Sequence, residues 1–170
     1  MGFDAMSFHA RWTRGDRRIW MLAACFAKRL TKALCFMANP RRVDALLEMA
    51  EEDLAGAKAL LDISTRLARY HVQQGGEKAV KALLEQRGLN PGREHRFEVL
   101  SEMLAQGDKW RARIQSLDSL SPAATSHRYP TAEGRVMPPP GRERVEREIA
   151  VVAEFIDDVR RAVDESSGVA

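Results

Sequence analysis

The C-terminal part of the chain carries a spacing of apolar residues that only an α-helix can place on one side. Between charged residues, branched apolar side chains recur at intervals of 4, 3, 4, 3 and 4: Val145, Ile149, Val152, Ile156, Val159 and Val163. A helix has about 3.6 residues per turn, so these positions share one face. The spacing predicts an amphipathic helix over about residues 142–162.

A second seam of the same kind follows Asn39-Pro40. Its members alternate in the same 4, 3 rhythm: Val43, Leu47, Ala50, Leu54, Ala57 and Leu61. Asparagine is a preferred N-cap whose side chain accepts a backbone N–H, and proline suits the first helical position because its missing donor is not needed there. These residues predict the start of the first core helix and its buried face.

The region between the two seams predicts one long helix and a broken one. The long helix spans about residues 66–87, has its seam at Val72, Gly76, Ala79 and Leu83, and ends before Gly88. Gly107 interrupts the next region, which predicts a kinked helix or two short ones ending before Pro122. A polar loop then covers residues 121–141 and is stiffened by three prolines, 138–140.

These patterns predict an all-α fold, an antiparallel four- to five-helix up-and-down bundle over residues 39–165, with residues 166–170 as a flexible tail. No useful stretch alternates polar and apolar residues, so strands are not expected. The 170 residues suffice for one domain with a core.

Residues 1–38 differ from the rest and are predicted to be an extension outside the core fold. Positions 1–36 hold seven Lys/Arg and two Asp, whereas the remainder is slightly acidic. Lys28, Arg29 and Lys32 interrupt the apolar stretch 19–37, so no membrane partner is expected. A transit peptide, a membrane-surface helix and a natural start at Met37 remain alternatives for this segment. The chain has two cysteines, Cys25 and Cys35, and such sparse use favours a cytoplasmic location.

The polar side of the second helix is the candidate site. One helical line carries His71, Gln74, Lys78 and Lys81, and a neighbouring line carries Tyr70, Gln73 and Glu77. Such lines are often solvated faces with ordinary ion pairs. Gly75 and Gly76 argue for more, because each glycine costs roughly 0.5–1 kcal/mol in a helix. Gly76 lies on the seam, so we expect a neighbouring helix to approach closely there, and Gly75 beside it could extend that contact.

Four separate strings resemble the HEPN domain, a family of small helical bundles. They are AEEDLAGAKALL, ARYHVQQGGEKAVKALLEQRG, EHRFEVLSEML and HRYP, and the resemblance covers about residues 42–163. The family pattern falls on Asp53-Leu54, on the Gln-Gln-x-x-Glu-Lys core, on His95, and on Arg-Tyr-Pro at 128–130. Gly75 stands where the family usually has another small residue.

The resemblance implies a homodimer that binds a nucleotide or RNA and acts with a small nucleotidyltransferase, in a toxin–antitoxin or defence setting. It also leaves two alternatives open: a metal-independent RNase toxin and a non-catalytic scaffold. Neither a cofactor nor a metal is implied.

Candidate site residues follow from the resemblance and from chemistry. Those for ligand binding or for anchoring the 121–141 loop are Gln73, Gln74, Glu77, Lys78, Lys81, His95, Arg128 and Tyr129. Glu77 and Lys78 pairing with Arg128-Tyr129 would anchor the loop, and His95 is expected to cap the third helix or to anchor it. The RNase branch carries Arg, four to six residues, then His; Arg66 and His71 have that spacing here, although the family's motif belongs to the later helices.

Overall fold

The computed structural model describes residues 39–124 and 129–167, which form helices joined by non-helical connections. The helices are α1 (Pro40–Leu60), α2 (Thr65–Gln86), α3 (Phe97–Glu102), α4 (Lys109–Ser116), α5 (Ser121–Ala124) and α6 (Arg142–Ser167), with a 3-10 turn at Leu117–Leu120. Within the described ranges there is no strand, which confirms the all-α prediction. The predicted extension 1–38 lies outside these residues.

Contacts between the ends of the three long helices show how these helices are oriented. Arg42 near the start of α1 bonds to Glu85 near the end of α2, at 2.7 Å. Arg142 at the start of α6 bonds to Asp62 just after α1. Gln86 and Ser166, both near C-terminal ends, are joined by a 2.8 Å hydrogen bond. Hence α1 is antiparallel to both α2 and α6, while α2 and α6 are parallel.

Helix α2 is the central element of this bundle. It packs against α1 on one side and α6 on another, and 13 of its 22 residues are buried. The predicted seam of α6 is buried, and so is that of α1 except for Leu61, which follows the helix and is partly buried. Phe97, Leu100, Trp110 and Ile114 close the core from the third region. Trp110 meets Phe155 of α6 edge to face, with ring centroids 5.8 Å apart.

Several helix ends differ from the sequence prediction in detail. Asn39 precedes α1, but its side chain accepts no capping bond, and its carbonyl accepts the N–H groups of Arg42 and Val43 instead. Pro122 lies inside α5 rather than beyond the helical region, because a first-turn N–H has no helical partner to lose. Helix α6 continues to Ser167, so residues 166 and 167 of the predicted tail are helical.

The third region consists of two short helices. The sequence had predicted either this arrangement or a kinked helix. Gly107 separates them with a φ of 89°, a left-handed conformation that glycine adopts without steric cost. Asp108 follows as N-cap of α4 and accepts the Trp110 N–H at 2.9 Å. Among the described residues, no helix combines the length and apolar character needed to cross a bilayer.

The tight approach to α2 occurs at Gly75 rather than at the seam glycine, Gly76. A methyl group on Gly75 would lie 3.0 Å from the Ala50 carbonyl oxygen of α1. A methyl group on Gly76 would meet Phe97 and Val152 at 3.5 and 3.7 Å, which are ordinary contact distances. The α1 backbone can therefore approach α2 this closely because Gly75 has no side chain.

This difference predicts opposite effects for two alanine substitutions. We expect Gly76→Ala to raise the free energy of unfolding by about 0.5–1 kcal/mol, because it gains helix propensity without a clash. Gly75→Ala gains the same propensity but crowds a backbone oxygen, so we expect a net loss of about 1 kcal/mol. Urea unfolding of both variants measures the difference, and changes of equal sign would contradict the assignment of the close contact.

Candidate functional site

Between Arg69 and Glu85, helix α2 reaches solvent only in part, at Tyr70 and along one line of four residues, because α1 and α6 cover most of its other sides. The partly exposed positions of this line are the polar stripe, defined as His71, Gln74, Lys78 and Lys81. Residues on either side of the stripe, such as Val72 and Ala79, are fully buried. The four stripe residues predicted from the sequence therefore lie together on the surface.

Asp53 of α1 organises one half of the stripe. Its Oδ1 lies 2.9 Å from His71 Nδ1, and its Oδ2 accepts a hydrogen bond from Lys78 Nζ. Gly75 allows the close helix approach beside Asp53. Because Nδ1 donates to the carboxylate, Nε2 is the ring nitrogen left for chemistry with another group.

Glu77 organises the other half from a more buried position. Its Oε1 lies 2.9 Å from Lys81 Nζ and 2.7 Å from His95 Nδ1, and its Oε2 accepts from Gln73 Nε2 at 3.1 Å. Gln73 is fully buried and in turn accepts a 2.6 Å hydrogen bond from Gln74. Glu77 and Gln73 therefore support the stripe from below instead of forming a second exposed line.

The two halves repeat one arrangement, a carboxylate that bridges a histidine Nδ1 and a lysine ammonium. Each carboxylate neutralises its lysine and fixes where the ammonium lies. An ammonium has three donors, so one bond to a carboxylate leaves capacity for a phosphate oxygen. The arrangement can therefore present two oriented cations without a large uncompensated charge.

The turn before α3 holds His95 in place through Glu94. Glu94 Oε1 accepts the backbone N–H groups of His95 and Arg96, both at 3.0 Å. Hydrogen bonding from the Arg96 N–H, followed by that from His95, lowers the pKa of Glu94 to about 2, so the carboxylate stays ionised. Arg96, not His95, occupies the N-cap position of α3.

Comparison with known proteins identifies the fold that carries this stripe. The family model described as HEPN domain matches residues 43–162, which include all four stripe residues, Asp53 and Glu77. The chain belongs to the HEPN domain family. No curated protein sequence matches it significantly.

Two solved structures share the architecture of this HEPN chain. The crystal structure of TT1696 from Thermus thermophilus is similar with a TM-score of 0.60 and 22% identity, covering 74% of this chain and 98% of that one. The crystal structure of ST0689, described as an archaeal HEPN homologue, has a TM-score of 0.50 and 22% identity, covering 71% and 97%. At this identity the likeness concerns the fold.

The RNase-type pair suggested by spacing points to two different neighbours in this HEPN domain. Arg66 Nη2 donates to the Met137 carbonyl at 2.5 Å, whereas His71 contacts Asp53. Five residues along a helix correspond to a rotation of about 140°, so the two side chains leave α2 in different directions. His71 therefore lies against α1, while Arg66 reaches the proline-rich segment before α6.

The predicted loop contact involves residues that the structure describes only in part. Arg128 lies outside the described residues, and Tyr129 is largely exposed. Glu77 pairs with Lys81 and His95, and Lys78 pairs with Asp53. A contact of α2 with Arg128 or Tyr129 stays a prediction.

Sequence reasoning missed the buried Arg69 and gave Asp53 no chemical role. Arg69 Nε donates to Glu148 Oε2 at 2.8 Å, and Nη2 donates to the Ser119 carbonyl at 2.7 Å. A signal for its burial existed, since Arg69 precedes Val72 by three residues and so continues the α2 seam. In the described ranges, no group of three or more His, Cys, Asp or Glu side chains could hold a metal ion.

Proposed function

We propose that this HEPN protein is a cytoplasmic homodimer that binds a nucleotide or RNA through the polar stripe and acts with a small nucleotidyltransferase. The observation that carries the binding proposal is the pair Lys78 and Lys81. They lie about one helical turn apart on the solvent-facing line of α2, and each is oriented by its own carboxylate. Oriented ammonium groups suit phosphate oxygens, which bind them through charge-assisted hydrogen bonds.

The neighbours of the lysines add the remaining requirements of a nucleotide site. Gln74 lies between His71 and Lys78 on the stripe, and its amide can serve as donor or acceptor to a base or ribose. His71 and His95 flank the lysines, and the ring nitrogen that does not face a carboxylate can accept a hydrogen bond from a ribose hydroxyl. The stripe thus combines cations with uncharged hydrogen-bonding groups along one line.

Removing either lysine should weaken binding. We expect Lys78→Ala and Lys81→Ala each to raise the dissociation constant for a fluorescent ribonucleotide or a short single-stranded RNA by about tenfold or more. Fluorescence anisotropy and calorimetry measure this change, and the affinity should fall as salt rises. Lys78→Arg should retain most of the binding because it keeps the charge.

Lys109→Ala is the matched control, since Lys109 is an exposed lysine on α4 rather than α2. Equal losses for Lys109→Ala and the stripe variants would mean that binding follows net charge alone. A wild-type protein that binds neither nucleotides nor RNA would remove the ligand proposal and leave the scaffold alternative.

The nucleotidyltransferase partner is proposed from the family resemblance. Two results would support this partner. One is a small nucleotidyltransferase gene beside the gene of this protein, and the other is co-purification of the two proteins after co-expression. A neighbouring nucleotidyltransferase that does not bind the HEPN protein would contradict this part without affecting the ligand measurement.

A second candidate function, a metal-independent RNase, is favoured by the geometry of His71. A carboxylate that holds Nδ1 orients Nε2 to exchange a proton with a ribose 2′-hydroxyl, and Lys78 can stabilise phosphate charge. Growth inhibition on induction, and RNA cleavage that persists in EDTA and is lost in His71→Ala, would support it. No toxicity and no cleavage would remove it.

A further inference from the structure

A cleft lies between α4 and the C-terminal part of α6, and none of its lining residues belongs to α2 or to the polar stripe. Its volume is about 240 Å³. The charged residues that line it are Lys109 and Arg113 on α4, and Asp158, Arg161 and Glu165 on α6. Their spacing is helical on both sides, so one face of each helix borders this space, which we call the α4–α6 cleft.

Arg113 is held in place on three sides in the α4–α6 cleft. Its guanidinium carbon lies 5.2 Å from the ring centroid of Trp110 and 5.7 Å from that of Phe155. Its Nη1 also donates to Asp158 Oδ2. Two aromatic rings and one carboxylate restrict the guanidinium, so the side chain has little conformational entropy left to lose when an anion binds.

Asp158 orients a second guanidinium in the same cleft. Its Oδ1 accepts a hydrogen bond from Arg161 Nη2, while its Oδ2 accepts from Arg113. The hydrogen bond from Arg113, followed by that from Arg161, lowers the pKa of the Asp158 carboxyl against the opposing effect of burial, so the carboxylate stays ionised. A guanidinium has five N–H donors. Asp158 therefore positions both arginines and leaves each of them donors for a further acceptor.

The α4–α6 cleft carries a surplus of one positive charge, because three cations and two carboxylates line it. The Lys109 ammonium lies 5.7 Å from the Trp110 ring centroid, and within the described ranges it has no carboxylate at ion-pairing distance. Asp108, the preceding residue, is paired with Arg87. Glu165 has no ion-pair partner among the described residues either. Lys109 therefore supplies the surplus, and Glu165 is the charge that would repel an incoming anion.

We propose that the α4–α6 cleft binds a phosphate group, as free phosphate or as a small phosphate monoester, at a site separate from the polar stripe. Arginine forks bind phosphate oxygens in pairs and lysine adds a compact charge, so Arg113, Arg161 and Lys109 offer complementary donors to one tetrahedral anion. A carboxylate ligand has fewer oxygens and less charge, so it would leave part of these donors unused. Ala162 has the smallest side chain of the lining and leaves space for the anion on the α6 side.

Heteronuclear NMR of the isotope-labelled full chain can follow this cleft independently of the polar stripe. The resonances of the Trp110 indole N–H and of Arg113 Nε report on the cleft, since both residues line it. The probes are inorganic phosphate and ribose 5-phosphate, added at constant ionic strength and at a pH of about 7.5, where a phosphate group carries nearly two charges. We expect saturable shifts of both resonances, and the probe with the lower dissociation constant identifies the source of the phosphate group.

Charge substitutions inside and outside the cleft test the assignment. Arg161→Ala and Lys109→Ala should each raise the phosphate dissociation constant by about fivefold or more, because each removes a charged donor. Both side chains are exposed, so the fold should be retained. Glu165→Gln should lower the constant by roughly two- to fivefold, because it removes the repelling charge. Glu154→Gln makes the same change of net charge at an exposed position of α6 outside the cleft, and should leave the constant unchanged.

Three results would each overturn the phosphate site. The first is the absence of saturable shifts with either probe, and the second is a dissociation constant that neither Arg161→Ala nor Lys109→Ala changes. The third is an equal effect of Glu165→Gln and Glu154→Gln, which would show a response to net charge alone. None of these results bears on the affinity of the polar stripe for RNA, because that affinity is measured separately with the Lys78 and Lys81 variants.

Discussion

Replacing Glu77 with alanine is expected to lower the free energy of unfolding by about 3 kcal/mol, although the side chain is polar and belongs to the candidate site. Glu77 is buried and accepts hydrogen bonds from Gln73, Lys81 and His95. Alanine would leave a fully buried amide without this acceptor and a mostly buried ammonium without its counter-charge. Removing one partner of a buried charged network typically costs several kcal/mol.

Two control variants test whether the loss of stability is specific to the buried carboxylate of Glu77. Glu77→Gln keeps an acceptor oxygen in place and should cost about 1 kcal/mol. Glu51→Ala breaks an exposed ion pair with Arg160 and should change stability by no more than about 0.5 kcal/mol. Urea unfolding measures all three. If Glu77→Ala were as mild as Glu51→Ala, the buried network would not contribute to the fold.

The second large effect is expected at Arg69, which joins α2 to α6. We expect Arg69→Met to lower the free energy of unfolding by about 3 kcal/mol, because it leaves Glu148 and the Ser119 carbonyl without their buried donor. Arg144 also bonds to Glu148, at 3.0 Å, but its side chain is 53% exposed compared with 2% for Arg69. Arg144→Met should therefore cost no more than about 1 kcal/mol.

A double substitution tests whether the Arg69 effect comes from an unpaired charge. Arg69→Met combined with Glu148→Leu removes both ends of the ion pair, and such replacements by apolar residues are often neutral. We expect the double variant to recover at least half of the stability that Arg69→Met loses. A double variant less stable than Arg69→Met alone would show that packing, not the orphaned carboxylate, sets the cost.

The long helices were predictable because their signals are local and repeated. The apolar seam beginning at Val43 and the one beginning at Val145 each repeat the helical period over several turns, and Gly88, with a φ of 72°, follows the end of α2 as predicted. The polar stripe was predictable for the same reason, since its four residues follow that period. The family pattern then assigned these elements to the HEPN domain, which the comparison confirms.

The burial of individual polar side chains on α2 was not predictable in the same way. A seam identifies one buried face, but α2 is covered by both α1 and α6, so burial extends to Gln73, Glu77 and Arg69. The seam predicted the close contact at Gly76. The contact occurs at Gly75 because this residue faces α1 from outside the seam. The spacing of apolar residues along a helix does not show how many other helices pack around it.

The sequence by itself determined which long segments are helical, where the main apolar faces lie and which residues form the solvent-facing line of α2. These properties depend on residues within a few turns of one another. Only the tertiary structure decided that Asp53 holds His71 and Lys78, that Glu77 holds Lys81 and His95, and that Arg69 is buried against Glu148. Most of these partners are 18 to 79 positions apart in the chain, so they meet only when the helices pack.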